Sequence, residues 1–170
     1  QAQELYQQAI SQVHAAKNYA DGSAFYQQLQ QSAPAETARL QQTLTGDPLP
    51  PPASTLPSED AAKQLAQTQT SLSDAQKRLN DLDQQLTVQQ ARPKSIPIEL
   101  SGLREQVADL DIKLQAAGPA ATTPLLANAR QMALTTQRQA LNLQIAMLEQ
   151  ERLSYDARLA LLNAQRAVAA

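Results

Sequence analysis

Four leucines at steps of seven, Leu65, Leu72, Leu79 and Leu86, constrain what this chain can fold into more than any other feature. Three residues after each of them come Thr68, Ala75, Leu82 and Gln89, so the two rows form the core positions of a heptad held for about four repeats. A strand turns its side chains over every second residue and cannot sustain that period. A helix does, and its apolar stripe must then be covered by another helix. A second series, Leu134, Leu141, Leu148, Tyr155 and Leu162, also recurs every seven residues. Its companion row four positions later alternates in character through Arg138, Ile145, Arg152, Leu159 and Arg166. Between the two series, Leu100, Leu103, Val107, Leu110 and Leu114 keep the three-four spacing. The pattern predicts an all-α fold, an elongated antiparallel coiled-coil-like bundle of three to four long helices.

Prolines and glycines place the boundaries. Residues 1–45 read as a first helix with the face Leu5, Ala9, Val13 (or Gln12), Ala16, Ala20 and Ser23, widened by Tyr6, Ile10 and Val13. Gly22 weakens its middle by about 1 kcal/mol relative to Ala. Around Pro34 the segment Ser32 to Glu36 has the character of a stop and restart, so a bend is expected there. Residues 46–57 hold five prolines and predict an extended connector that could bridge roughly 35 Å. Ser58 then serves as an N-cap, with Glu59 and Asp60 in the favourable first turn. Residues 58–117 are expected to be a long helix broken or strongly kinked at Arg92-Pro93 and Pro97, since proline removes a backbone donor and clashes with the preceding turn. Gly118-Pro119 reads as its stop. Thr123 caps the last helix with Pro124 at its first position, and residues 124–168 are expected to run without a break. The whole chain is read as one helical domain, residues 1–170.

Composition supports thin seams over a thick core. Hydrophobic residues make up 42% of the chain, but aromatics only 3%, with one Phe and no Trp. Ala, Leu and Gln dominate, and all three favour helix. With a net charge of −2 and no Lys/Arg cluster, a nucleic-acid partner is not expected. The absence of cysteine excludes disulfides and thiolate metal sites. No apolar run reaches the length of a membrane span. The first residue is Gln1, which suggests a mature or excised fragment, so any membrane anchor is expected outside these residues.

Chemistry is hard to place on this sequence. His14 is the single histidine and has no acid within one turn on either side, so it reads as an exposed or boundary residue. The acid pairs Asp81/Asp83, Asp109/Asp111 and Glu149/Glu151 are two residues apart and point about 200° from one another, which suits solvated faces and not a shared proton or ion. No Gly-rich phosphate loop or nucleophile elbow is present. No catalytic, cofactor-binding or metal-binding residue is therefore assigned, no cofactor and no small-molecule substrate are expected, and the chain reads as a non-enzyme. Arg138, Arg152 and Arg166, spaced by fourteen, lie on one helix face. They could pair with acids of another chain or touch lipid phosphate, or could cover the seam edge with their stems; the pattern favours the last. Candidate intrahelical pairs Asp74/Arg78, Asp109/Lys113 and Arg152/Asp156 each contribute ~0.3 kcal/mol. Lipid-binding helices usually carry bulky aromatics and many lysines, which are missing here, so helix-to-helix packing is the better destination for the apolar faces.

The run Gln144-Ile145-Ala146-Met147-Leu148-Glu149-Gln150-Glu151-Arg152-Leu153-Ser154-Tyr155, with Arg158-Leu159 and Ala164-Gln165-Arg166 after it, resembles the N-terminal periplasmic helical ("porin") domain of large MscS-like mechanosensitive ion channels. Leu86 to Pro93, ending in Gln89-Gln90-Ala91-Arg92-Pro93, is similar to the same domain's helix with its Arg-Pro break, and residues 3–45 fit its opening helix more loosely. The resemblance implies no catalytic residues. It implies a periplasmic domain of an inner-membrane protein in a Gram-negative-type envelope, attached to the membrane through parts outside these residues. The expected role is a non-catalytic accessory or interaction domain that modulates gating or subunit assembly, with other channel subunits or envelope proteins as partners through helix packing. The alternative is a free-standing coiled-coil scaffold or adaptor of a bacterial envelope assembly.

Overall fold

Every apolar stripe named above is found on a helix. The computed structural model describes residues 1–46, 58–116 and 123–170. It contains α1 (Ala2–Leu44), α2 (Ser58–Ala116), α3 (Pro124–Leu153) and α4 (Tyr155–Ala169), with no strand among the described residues. The fold is an all-α helical bundle. Most of the proline-rich connector and the Gly118-Pro119 stop lie outside the described residues. Two helix starts fall where the sequence placed them, at Ser58 and at Thr123-Pro124. Thr123 makes no side-chain cap bond; its carbonyl instead accepts from the Leu126 and Ala127 amides at 2.9 and 3.1 Å.

Two expectations about helix continuity need correction. The break expected at Pro93 and Pro97 does not occur, since α2 continues as helix across both, and α1 runs as one helix through Pro34, the position where a bend was expected. A proline inside a helix costs about 3 kcal/mol or more, and the packing around Pro93 and Pro97 is the offset. Both prolines are exposed, while Ile96 between them is 1% exposed and Leu100 and Leu103 are buried just beyond. Burying each such side chain contributes about 1.5–3 kcal/mol. Tertiary burial therefore outweighs local propensity.

The second correction concerns the last helix, expected to be unbroken over 124–168. A one-residue turn at Ser154 separates α3 from α4. Ser154 has φ −85° and ψ −3°, well away from the helical ψ of about −42°. Its hydroxyl donates to the Glu151 carbonyl at 2.9 Å, while its amide donates to Gln150 at 3.0 Å. A serine hydroxyl bonding back along its own chain competes with the regular ladder, and at 0% exposure no water relieves the competition.

Contacts divide the chain into two compact units. One comprises Gln1–Gln31 with Arg92–Tyr155, and the other Ser32–Ala91 with Asp156–Ala170. In the first, α3 is the shared partner. Ion pairs tie Arg92, Arg104 and Asp111 of α2 to Glu151, Glu149 and Arg138 of α3 in descending order, so these helices run antiparallel. Leu5 and Gln12 of α1 line a groove with Arg130 and Gln137, and Gln30 meets Gln150 at 2.8 Å, so α1 runs parallel to α3. The core is Ile96, Leu100, Leu103 and Leu148, with Leu141, Ile145 and Met147 against it. Along α1 the buried stripe passes through Ala9 and Ala16, flanked by half-buried Leu5, Gln12 and Tyr19; Ala20 is exposed, as are Ile10 and Val13. In the second unit Ala33, Leu82, Leu86, Gln89 and Ala164 are buried.

Close helix approach explains the glycine in α1. A Cβ added to Gly22 would lie 2.8 Å from Met147 Sδ and 3.2 Å from its Cγ. Gly22→Val is expected to lower unfolding free energy by about 1–3 kcal/mol through overpacking. Adding Met147→Ala to the same chain is expected to recover part of the loss. Urea unfolding of both chains checks this, and a Gly22→Val protein as stable as the parent would contradict it.

Candidate functional site

The densest polar constellation among the described residues is centred on Arg92, at the start of the proline-containing stretch of α2. Its Nε and Nη2 donate to Oε1 and Oε2 of Glu151, both at 2.7 Å, in a two-pronged pair between α2 and α3. Nη1 donates to Glu99 Oε1 at 2.8 Å and to Ser95 Oγ at 3.0 Å. The Arg92 side chain is 24% exposed and that of Glu151 only 6%. Because Glu99 lies seven residues after Arg92 on the same helix, the guanidinium braces α2 across both prolines while anchoring it to α3. A planar, forked cation suits this task; an ammonium could not present matched donors to two carboxylates and a hydroxyl.

The electrostatics follow from that geometry. Hydrogen bonding from Glu151 is the largest influence on the Arg92 guanidinium and holds its proton more tightly than in an ordinary arginine; burial opposes this, and Glu99 adds to it. A cation whose pKa is raised on folding contributes stability that is fully present below its unfolded pKa and is lost only as pH rises through the folded one. Since arginine ordinarily titrates above about 12, the contribution persists across every neutral and moderately alkaline condition.

Three further ion pairs also join one helix to another. Arg104 Nη2 meets Glu149 Oε1 at 2.9 Å and Arg138 Nε meets Asp111 Oδ1 at 2.6 Å. In the second unit, Arg166 Nε meets Asp83 Oδ1 at 2.5 Å. The acids read from sequence as solvated faces thus include Asp83, Asp111, Glu149 and Glu151, which are cross-helix partners instead, and Glu151 is buried. Two of the three arginines spaced by fourteen, Arg138 and Arg166, pair with acids of this same chain, while Arg152 is exposed. Asp74 pairs with Lys77 at 3.8 Å, one turn along. These half-exposed pairs contribute ~0–1 kcal/mol each and serve orientation more than stability.

Chemistry beyond ion pairing has little to work with. His14 is exposed and lines an apolar groove with Tyr6, Val13 and Met132. A second groove between α1 and α3 contains a single ionisable group, Arg130. No group of three or more His, Asp or Glu among the described residues could hold a metal ion, and no described helix is long and apolar enough to cross a membrane. What the site does is fix which helices pack together and at what register. Sequence reasoning missed it because the two partners are 59 residues apart. The one available signal was an arginine placed directly before a proline inside a heptad.

Replacing Arg92 by Met leaves the Glu151 carboxylate buried without its guanidinium. Arg92→Met is expected to cost on the order of 3 kcal/mol, as breaking a buried pair from one side does. Arg92→Met with Glu151→Met is expected to cost less than the sum of the single changes, with a coupling on the order of 1–3 kcal/mol. Denaturant unfolding of the four chains measures the cycle, and additive losses would contradict the pairing.

Comparison with curated proteins and with solved structures returned no match. The sequence profile described as the mechanosensitive ion channel porin domain matches residues 1–170, the full span of the chain. The all-helical bundle agrees with the helical domain that the residues quoted above imply for that family. The chain belongs to the mechanosensitive ion channel porin domain family.

Proposed function

We propose that this chain is a periplasmic, non-catalytic accessory domain of a mechanosensitive ion channel, modulating gating or subunit assembly through helix packing. The observation that carries the reading is the family match over residues 1–170. The physical character of the molecule supports it. Several of its ion pairs join one helix to another, no group of three or more His, Asp or Glu among the described residues could hold a metal ion, and its long helices offer extended surfaces for packing. The periplasmic placement and the attachment to the inner membrane through other parts of the parent channel follow from the family reading.

Such a domain can shift the closed-open balance only by as much as its contacts differ between the two states. Deleting it from the full channel is expected to leave a conducting pore whose tension threshold, read by patch clamp on membrane patches, is displaced from that of the parent. Unchanged tension dependence together with unchanged subunit assembly would refute the proposal.

A further inference from the structure

The chain passes between its two compact units three times, from Gln31 to Ser32, from Ala91 to Arg92 and from Tyr155 to Asp156. Contacts inside the first unit put all three exits at one end of it. Gln30 accepts from Gln150 at 2.8 Å and Arg92 donates to Glu151 at 2.7 Å, so α1, α2 and α3 leave at the same level. Each helix is weakened there. Pro34 has no amide to give the Gln30 carbonyl, and Pro93 has none to give that of Gln89, so each missing bond spans a crossing. The turn at Ser154 separates α3 from α4 beside the third crossing. Both proline rings are exposed, so their effect on the helices is this loss of a bond and not a gain of packing.

We propose that this level is a hinge, at which residues 32–91 and 156–170 swing as one body relative to the first unit while each unit keeps its own packing. A single weakened helix in a bundle is splinted by its neighbours. Three weakened at one level leave no splint, and helices bend sharply at prolines and at interruptions of the hydrogen-bond ladder. A few residues near the ends of elements then absorb the change in backbone dihedrals.

Arg92 sets the limit on the side of the first unit. Its guanidinium reaches Glu99 across Pro97 and fastens this stretch to Glu151, so α2 yields between Gln89 and Arg92 and not further along. On the other side, the buried amide nitrogen of Gln89 and the buried hydroxyl of Thr37 have no hydrogen-bond partner among the described residues. Neither group therefore adds a polar lock to the turns that adjoin the hinge. The inference rests on this helix geometry and does not depend on the channel reading.

The protein has no cysteine, so spin labels on introduced cysteines report distance distributions in the intact chain by double electron-electron resonance. Ala38→Cys with Ala108→Cys reports between the units, Ser11→Cys with Ala108→Cys inside the first, and Ala38→Cys with Gln85→Cys inside the second; all these positions are exposed. The distribution between the units is expected to be broader than either internal one. Adding Pro34→Ala and Pro93→Ala restores both amides and is expected to remove most of that excess width, with helicity unchanged. A distribution between the units as narrow as the internal ones would overturn the proposal. So would equal breadth for all three pairs, which marks general looseness, or a width indifferent to the two proline replacements.

Discussion

The contact between Arg92 and Glu151 is the constraint on which the packing of this domain turns. Helix α2 has two prolines four residues apart, each removing a backbone hydrogen bond. Left to itself, that stretch would end a helix. It continues because Ile96, Leu100 and Leu103 are buried, and because one guanidinium holds Ser95 and Glu99 on its own helix and Glu151 on α3. The apolar burial supplies most of the free energy. The ion pair supplies placement, since a buried carboxylate that loses its partner is costly in a way that a slipped leucine is not.

Placement matters unusually here because the seams are thin. With Ala, Leu and Gln doing most of the packing, neighbouring registers of two helices differ little in buried area, and a leucine stripe can slide by a heptad at small expense. Polar contacts remove that freedom. Arg92 and Arg104 on α2 face Glu151 and Glu149 on α3, whereas Asp111 of α2 faces Arg138. Reversing the sense of the charges along the helix makes a shifted register meet like with like. Gln89, buried in the second unit with its amide nitrogen unpaired among the described residues, adds a polar element to the heptad row of α2, the kind of residue that fixes register at some cost in stability.

Much of this was legible from spacing alone. The heptad leucines marked α2 and the α3–α4 region, and Ser58 and Thr123-Pro124 marked two helix starts. What sequence could not show was long-range. Glu151 read as a solvent-facing acid because its partner lies 59 residues away, and no local rule pairs them. Pro93 and Pro97 read as a break because proline is a local penalty, whereas the burial that offsets it belongs to another helix. Ser154 passed as an ordinary helical residue; only its complete burial turns a mild propensity into a turn. The arginines spaced by fourteen were a genuine signal, but periodicity identifies a face and not what lies opposite. For Arg138 and Arg166 that proved to be aspartates of the same chain.

Amide hydrogen exchange along α2 tests the bracing of its proline stretch most directly. If the Arg92 contact and the buried leucines hold this turn, the amides of Ile96, Glu99 and Leu100 should exchange as slowly as those of Leu148 and Ser154, and all should lose protection together as denaturant is added. Fast exchange at Ile96 and Glu99 under native conditions, with Leu148 still protected, would show that the prolines open the helix and that the contact to Glu151 does not hold it.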